Sequence, residues 1–310
     1  MEFAHISVLF QETMDGLRIQ PNGVYADGTL GGGGHSLGIL ERGKDIRLIG
    51  IDQDPEAIAA AKKRLAPFSG QVAFVNENFS QIKAVLSQLE IPALDGAVLD
   101  LGVSSYQLDN AARGFSYMHD ARLDMRMSPN KPKSAFQVVN TYSREDLTRI
   151  FYEYGEENWS KRIAEFIVDR RAEKPIETTQ ELVEIIRAAI PKKARQEGSH
   201  PAKRVFQAIR IEVNGELEIL ARAVEDFVDV LKPGGRLAVI TFHSLEDRIV
   251  KRTFAQLAAG CTCPKEFPVC VCQKKPQVKL ITKKPILPSA AELEENIRAK
   301  SAKLRVVEKI

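Results

Sequence analysis

The stretch from Val24 to Ser36 constrains the fold of this chain more than any other. A strand-like run, Gly23 to Ala26, leads into a loop with glycines at 28, 31, 32, 33 and 34, and a helix-compatible segment, Leu37 to Arg42, follows. Glycine lets the backbone approach a ligand closely and adopt positive φ, while the next helix offers free N–H groups at its N-terminus. The alternative is a flexible glycine-rich turn.

The acid that follows the next strand favours a binding loop over a flexible turn. A second strand-like run, Arg47 to Ile51, precedes Asp52, which lies 18 residues beyond Gly34. In nucleotide-binding βαβ units, an acid at about this spacing meets the ribose hydroxyls. Together the two stretches predict a site for a nucleoside-bearing cofactor.

Strands and helices alternate through the first hundred residues. A helix is predicted at 54–65, a strand at 71–75, a helix at 80–89 and a strand at 94–100. This alternation predicts an α/β fold with a doubly wound, mostly parallel sheet. Ligands bind outside the carboxyl ends of such strands, where we expect the glycines at 31–34, Asp52, Phe79 and Asp100.

The alternation stops near residue 110, where several helical segments follow one another without strands. We therefore predict an inserted all-helical domain at 110–205, within a discontinuous sheet domain formed by residues 1–109 and 206–310. One long helix is predicted at 202–227. The sheet resumes with an apolar strand at 231–242, and residues 279–281 and 304–307 are candidate edge strands.

Charge, apolar runs and cysteine placement narrow the class of protein. A net charge of +3 does not by itself indicate nucleic acid, but six Lys or Arg lie between Lys192 and Arg210 against one acid, Glu197. The first ten residues lack the pattern of a signal peptide, and no apolar run is long enough to span a membrane. The four cysteines are clustered rather than spread as in a secreted disulfide framework. We predict a cytoplasmic protein without membrane association; its oligomeric state is open, a homodimer included.

Two features separate this chain from dehydrogenases. The loop reads Gly31-x-Gly33-x-x-Ser36, so the third glycine of the dinucleotide fingerprint is missing. Residues 100–105 (DLGVSS) and 232–235 (KPGG) resemble class I S-adenosylmethionine-dependent methyltransferases. Over nearly its whole length the chain resembles the MraW family of bacterial ribosomal RNA small-subunit methyltransferases H, through these segments: 27–36 (DGTLGGGGHS), 51–54 (IDQD), 100–105, 113–116 (RGFS), 123–127 (LDMRM), 154–157 (YGEE), 200–208 (HPAKRVFQA), 241–248 (TFHSLEDR) and 298–305 (RAKSAKLR).

The resemblance implies an activity and a set of site residues. The family methylates the exocyclic N4 of a cytosine in the decoding region of 16S ribosomal RNA, so the expected cofactor is S-adenosylmethionine and the expected partner is that RNA or the small subunit. Gly33, Gly34 and His35 would line the cofactor, Asp52 would bind its ribose, and Phe79 would lie against adenine. Asp100 and Gln107 would close the methionine side. Tyr106 stands where family members usually have proline.

The chemistry requires hydrogen-bond acceptors for the amine. The N4 lone pair of cytosine is delocalised into the ring, so acceptors must draw it out of conjugation, and a proton must then leave. Asp100 and Ser104 at the end of the fourth strand are candidates, although we favour the cofactor as the partner of Asp100. His243 could relay the proton or be a structural histidine. Methylation at C5 is disfavoured, because every cysteine lies far in sequence from these strand ends.

RNA contacts are expected in the inserted domain and just before it. Tyr106, Phe115 and Tyr117 could stack on unstacked bases or pack in a core. Six residues would contact phosphates or form a solvated face: Lys192, Lys193, Arg195, His200, Lys203 and Arg204.

Two further questions are left open by the sequence. Cys261, Cys263, Cys270 and Cys272 could hold a zinc ion or be reduced thiols. Competing functions are an NAD-dependent oxidoreductase, disfavoured by the missing glycine, and a non-enzymatic RNA-binding ribosome-assembly factor, disfavoured because Asp52 and Asp100 are present.

Overall fold

The computed structural model describes residues 7–195, 200–260 and 275–310. The chain divides into two compact units, residues 1–102 with 217–310 and residues 103–216. Among the described residues, no helix is both long enough and apolar enough to cross a bilayer.

The first unit contains a seven-stranded sheet in the order β3-β2-β1-β4-β5-β7-β6. Strands β1 to β5 are parallel, and β7 runs antiparallel to both of its neighbours. The described strands are β1 (Val24–Asp27), β2 (Arg47–Ile51), β3 (Val72–Val75), β4 (Leu94–Asp100), β5 (Leu231–Thr241), β6 (Val278–Leu280) and β7 (Lys303–Lys309). The predicted α/β, doubly wound and mostly parallel sheet is confirmed.

Helices cover the sheet on both faces and make up the second unit. The described α-helices are α1 (Phe10–Leu17), α2 (Gly34–Arg42), α3 (Pro55–Arg64), α4 (Ile82–Gln88), α5 (Ser105–Asp109), α6 (Ala135–Thr141), α7 (Arg144–Glu153), α8 (Ser160–Glu173), α9 (Thr179–Ala189), α10 (Lys192–Arg195), α11 (Lys203–Asn214), α12 (Glu216–Asp229), α13 (Ser244–Ala258) and α14 (Ala290–Glu295). Short 3-10 turns lie at Ala66–Gln71, Phe79–Gln81, Ala111–Arg113 and Ile297–Ser301.

Side chains of the central strands point alternately to the two faces of the sheet, and they form two hydrophobic cores in the first unit. In β4, Ala97 and Leu99 belong to a cluster with α4, α12 and α13, whereas Val98 belongs to a cluster with α1, α2 and α3. Successive side chains of a strand point to opposite faces, so a strand buried on both faces is apolar throughout. This arrangement fixes the strand ends, and hence the site, within a rigid frame.

The second unit is built on its own helical core. Residues from α6, α7, α8, α9 and α11 are buried together there, among them Val138, Phe151, Ile167, Ile186 and Ile209. The unit begins and ends outside the predicted insert at 110–205, because α5 and all of α11 belong to it.

The single helix predicted at 202–227 is wrong. Helix α11 ends at Asn214, Gly215 adopts the left-handed conformation with φ +63°, and α12 begins at Glu216. A glycine just past a helix end adopts this conformation without steric strain. The break coincides with the boundary between the two units.

Candidate active site

Four strand ends place acidic and imidazole side chains along one edge of the sheet. Asp27 ends β1, Asp52 follows β2, Asp100 ends β4 and His243 follows β5. These strands are parallel neighbours in the order β2-β1-β4-β5, and the winding direction reverses between β1 and β4. A crevice at such a reversal is the usual ligand site of a doubly wound sheet.

The glycine loop between β1 and α2 is held by the backbone and by Asp52. The Gly31 N–H donates to Asp52 Oδ2 at 2.8 Å, and the Gly33 N–H donates to the Leu30 carbonyl at 2.7 Å. Gly33 has φ +76° and immediately precedes α2 without any side-chain cap. A Cβ on Gly34 would lie 2.0 Å from Ser7 Oγ. The loop therefore presents backbone to a ligand and has little room for side chains.

Asp52 has unused hydrogen-bonding capacity. Its Oδ1 accepts the Asp54 N–H at 2.9 Å, and its Oδ2 accepts the one bond from Gly31. A carboxylate offers about four acceptor sites, so each oxygen can accept another donor such as a ribose hydroxyl. Burial raises the pKa of Asp52 from 3.8 to about 6.

Asp27 is a site residue that the sequence reasoning did not single out. It is 2% exposed and accepts hydrogen bonds from Ser36 Oγ at 2.7 Å and from the Thr29 N–H at 3.2 Å. Burial raises its pKa to about 6. The signal was available, because Asp27 stands at the end of its strand just as Asp100 does.

Asp100 carries a buried acceptor that the described residues leave unbonded. Its N–H donates to Thr29 Oγ1 at 2.6 Å, while Oδ1 is buried without a hydrogen-bond partner among the described residues. Burial raises the pKa of Asp100 well above its usual range, and the charges of Asp27 and Glu246 raise it further. An unpaired buried carboxylate oxygen is costly, which indicates that a ligand satisfies it.

His35, in the first turn of α2, lies next to Asp100. Its Nδ1 is 3.7 Å from Asp100 Oδ2, and its Nε2 is 3.1 Å from the Val8 carbonyl oxygen. The His35 side chain is almost fully buried. Its position is consistent with the predicted role of lining the cofactor, which stays a prediction.

The charge of this edge suits a cationic cofactor. In the described part of the chain, no Lys or Arg forms an ion pair with Asp27, Asp52 or Asp100. S-adenosylmethionine carries a sulfonium and an ammonium group, and opposite charge nearby favours the ionised form of a carboxyl. The residues present therefore fit this cofactor.

Phe79 also lies near the glycine loop. A Cβ on Gly28 would come within 3.2 Å of Phe79 Cβ. The loops after β2 and β3 are tied together, because Asn78 Nδ2 donates to Gln53 Oε1 at 3.2 Å. Stacking of Phe79 on adenine remains a prediction.

The His243 side chain is buried against Glu246 rather than exposed to solvent. Its Nε2 is 2.9 Å from Glu246 Oε1, and the two side chains are 8% and 2% exposed. Glu246 Oε2 also accepts the N–H groups of Phe242 and His243. Apart from this ion pair, neither ring nitrogen of His243 has a hydrogen-bond partner in the described part of the chain, and its part in proton transfer stays a prediction. Glu246 was not singled out from the sequence, although it lies three residues after His243.

Ser104 and Gln107 belong to the second unit and cap α5. Ser104 Oγ accepts the Gln107 N–H at 3.2 Å, and Gln107 Oε1 accepts the Ser104 N–H at 3.1 Å. This reciprocal pair is a capping box. The predicted roles of Ser104 at the amine and Gln107 at the cofactor remain untested, as does stacking by the half-buried Tyr106 in the same helix.

Phe115 does not offer a face to RNA. It is 6% exposed and lies in the core of the second unit, so core packing accounts for it and we do not retain it as an RNA contact. One face of Tyr117 stacks on His200, with ring centroids 4.6 Å apart, and its ring also meets Phe206 edge-on.

The cations predicted to contact phosphates lie on the surface of the second unit: Lys192, Lys193, Arg195, Lys203 and Arg204 are all exposed. Arg204 also donates to the Glu156 carbonyl at 3.0 Å. The other four have no ion pair with any described residue. RNA binding by this surface stays a prediction.

The predicted zinc ligands Cys261, Cys263, Cys270 and Cys272 lie outside the described residues. Within the described ranges, no group of His, Cys, Asp or Glu is arranged to hold a metal ion. Zinc content of the purified protein would decide the question.

Comparison with known proteins identifies the family. The MraW methylase family matches residues 2–310. The ribosomal RNA small subunit methyltransferase H of Clostridium botulinum (strain Loch Maree / Type A3) is 61% identical over the whole of both chains. The proteins of the same name are 56% identical in Clostridioides difficile (strain 630), over the whole of both chains, and 57% identical in Carboxydothermus hydrogenoformans, over all of this chain and 99% of the relative. With its sheet of the class I methyltransferase type, the chain belongs to the MraW methylase family.

Proposed function

We propose that this protein transfers a methyl group from S-adenosylmethionine to the exocyclic N4 of a cytosine in the decoding region of 16S ribosomal RNA. One observation supports the cofactor assignment: three carboxylates, the buried Asp27 and the half-buried Asp52 and Asp100, lie at the ends of β1, β2 and β4 without a Lys or Arg partner in the described residues. Small-subunit RNA as substrate is supported by the names of the relatives, and N4 of cytosine by the motifs that resemble the family.

The described residues of the first unit have distinct roles in this proposal. S-adenosylmethionine, when bound, supplies an electrophilic methyl group on a positively charged sulfur. Asp52 accepts hydrogen bonds from the ribose, and the glycine loop lets backbone approach the ligand. Asp27 and Asp100 stabilise the positive charge, because Asp27 is buried and Asp100 is half-buried, so solvent screens them less than surface groups.

The acceptor chemistry requires orientation and a place for one proton. The amine must approach in line with the bond that breaks, so positioning supplies most of the rate. Ser104 is proposed to accept a hydrogen bond from N4, and His243 is proposed to take up the proton that N4 loses. His243→Ala tests this role: a methyl-transfer rate close to wild type at saturating cofactor would leave His243 a structural residue.

Calorimetry with purified protein tests the cofactor. We expect S-adenosylmethionine to bind and NAD not to bind. Asp52→Asn should weaken binding by roughly ten- to a hundred-fold, because a hydrogen bond to a charged group contributes about 1.5–3 kcal/mol. The control Glu41→Gln also removes one negative charge, but at an exposed position of α2, and should leave the affinity unchanged. Tighter binding of NAD than of S-adenosylmethionine would favour the oxidoreductase instead.

Methyl incorporation separates an enzyme from a binding factor. Small subunits from cells lacking this protein should accept a labelled methyl group from S-adenosylmethionine when the purified protein is added. Binding of subunits without incorporation under any assembly condition would favour a non-enzymatic RNA-binding role.

A further inference from the structure

The second unit contains a basic pocket that includes Arg187, a residue not singled out from the sequence. It has a volume of about 330 Å³ and is lined by Arg187, Lys192, Arg195 and Pro201. Arg187 comes from the last turn of α9, and Lys192 and Arg195 come from α10 just beyond it.

The three cations of this pocket have no acidic partner among the described residues: Arg187, Lys192 and Arg195 are exposed and form no ion pair there. Like charges held close together repel one another, and an anion placed between them removes that repulsion. Glu197, the one acid in this part of the sequence, lies outside the described residues. The alternative for Arg187 is stabilisation of the C-terminus of α9 through the helix dipole.

His200 supplies a neutral donor beside these charges. Its Nδ1 accepts the Ala202 N–H at 3.2 Å, so the proton of the neutral ring is on Nε2. His200 directly precedes Pro201, which lines the pocket. Burial lowers the pKa of His200, and the charge of Arg187 lowers it further. Stacking on Tyr117 fixes the ring plane.

We propose that Arg187, Lys192 and Arg195 bind a backbone phosphate of single-stranded RNA, with the Nε2–H of His200 as an added donor. The planar guanidinium of Arg187 matches two phosphate oxygens, whereas Lys192 acts as a point charge. The identification of the anion as RNA rests on the proposed function. The role of Tyr117 is then to position His200 rather than to stack on a base.

Salt-dependent binding of a single-stranded oligoribonucleotide tests the pocket. Each phosphate contact that is lost should reduce the slope of log affinity against log salt by roughly 0.7. Because the three cations share one phosphate, Arg187→Gln and Lys192→Gln should each reduce the slope, and the double variant should reduce it by about 0.7 at most. Lys161→Gln removes an exposed lysine of the same unit and should leave the slope near wild type. Slopes for Arg187→Gln and Lys192→Gln equal to that of Lys161→Gln would overturn the proposal.

Two further variants separate phosphate binding from a structural role. Arg187→Lys keeps the charge but loses the planar fork, so it should keep the salt slope while affinity falls. If Arg187→Lys kept both the wild-type salt slope and the wild-type affinity, only the charge would matter, and a bidentate contact would be contradicted. Thermal melting of Arg187→Gln should match wild type; a large loss of stability with an unchanged salt slope would favour the helix-dipole alternative.

Inorganic phosphate distinguishes RNA from a small anion. At constant ionic strength, millimolar phosphate should displace the oligonucleotide poorly, because a strand makes additional contacts outside the pocket. Complete displacement by phosphate would identify a small-anion site and overturn the RNA assignment.

Failure of this proposal and failure of the proposed function give different results. If wild-type protein methylates small subunits but the salt slopes of the pocket variants are unchanged, only the pocket assignment fails. If the slopes fall as expected but no subunit is methylated, only the proposed function fails. Affinity for S-adenosylmethionine should be the same in all pocket variants.

Discussion

At the residue scale, the raised pKa values of Asp27 and Asp52 link cofactor binding to pH. Both values are about 6 in the free protein, because burial disfavours the charged carboxylate. A cationic cofactor favours the ionised form, so bound S-adenosylmethionine should lower both pKa values. Below pH 6 the protein must therefore release protons in order to bind.

We predict that affinity for S-adenosylmethionine falls as pH is lowered from 7.5 to 5.0. Each carboxyl that must lose its proton can weaken binding by up to about tenfold per pH unit below its pKa. Calorimetry in buffers of different ionisation enthalpy should show proton release near pH 5.5. Asp52→Asn should flatten the pH dependence, whereas a constant affinity from pH 5.0 to 7.5 in wild type would contradict this account.

Burial of Asp27 also affects the stability of the protein when no cofactor is bound. The pKa of Asp27 is about 6 when folded against 3.8 as its ordinary value. A raised acid pKa means that the folded state binds the proton more tightly, so this contribution to stability is present at low pH and lost as pH rises through 6.

Relative to Asp27→Asn, wild-type protein should therefore become more stable as pH falls from 7.5 toward 4. The gain is roughly 3 kcal/mol at most, from a shift of about two pKa units. Urea unfolding of both proteins at several pH values measures the difference. A stability difference that is independent of pH would show that Asp27 is not desolvated as described.

The residue scale also shows what a sequence can reveal about a site. Asp52 and Asp100 were predicted because an acid at the end of a parallel strand faces the ligand edge, and both lie there. Glu246 was missed because it contacts His243 through the first turn of α13, a local geometry that no strand rule describes. The burial of Phe115 depends on packing among distant helices, which the sequence pattern alone does not contain.

At the element scale, the turn into α2 depends on one backbone conformation. Gly33 adopts φ +76°, and a Cβ there would contact Ala61 and Leu65 at 3.4 Å. Gly33→Ala should cost about 1–2 kcal/mol of stability and weaken S-adenosylmethionine binding by shifting the loop. Gly70→Ala is the matched control, since a Cβ at Gly70 meets nothing within 4 Å. Denaturant unfolding and calorimetry on both variants check this, and equal effects would contradict it.

A second element-scale prediction concerns Asn214, the last residue of α11. Its side chain is 3% exposed, accepts the Met127 N–H at 2.9 Å and donates to the Met125 carbonyl at 2.8 Å. Asn214→Ala removes the partner of those two buried groups, so we expect a loss of roughly 2–6 kcal/mol, about 1–3 for each group. Urea unfolding measures the loss. Lys161→Gln serves as the control, and a loss below 1 kcal/mol would mean that water replaces the amide.

The order of the strands in the sheet could be predicted only in part from the individual elements. The alternation predicted β1 to β4 with their helices, and the next strand, β5, pairs in parallel with β4. The edge strand predicted at 279–281 corresponds to β6, but the prediction of an edge strand at 304–307 is wrong, because β7 lies between β5 and β6. That insertion depends on pairing between segments far apart in the chain.

At the scale of the whole molecule, the two units have different parts in the proposed function. The first carries the strand-end carboxylates and the glycine loop, and the second carries the exposed cations and the basic pocket. In the proposed function, phosphate contacts of the second unit would position the RNA, and the sheet edge of the first unit would hold the cofactor.

The account is tested most directly by identifying the methylated nucleoside. Small subunits from cells lacking this protein are incubated with the purified protein and S-adenosylmethionine, and their 16S RNA is digested and analysed by chromatography with mass spectrometry. The account predicts one new nucleoside, N4-methylcytidine, from the decoding region, and its loss with Asp52→Asn at limiting cofactor. A methyl group on C5, on a ribose or on a base other than cytosine would contradict it.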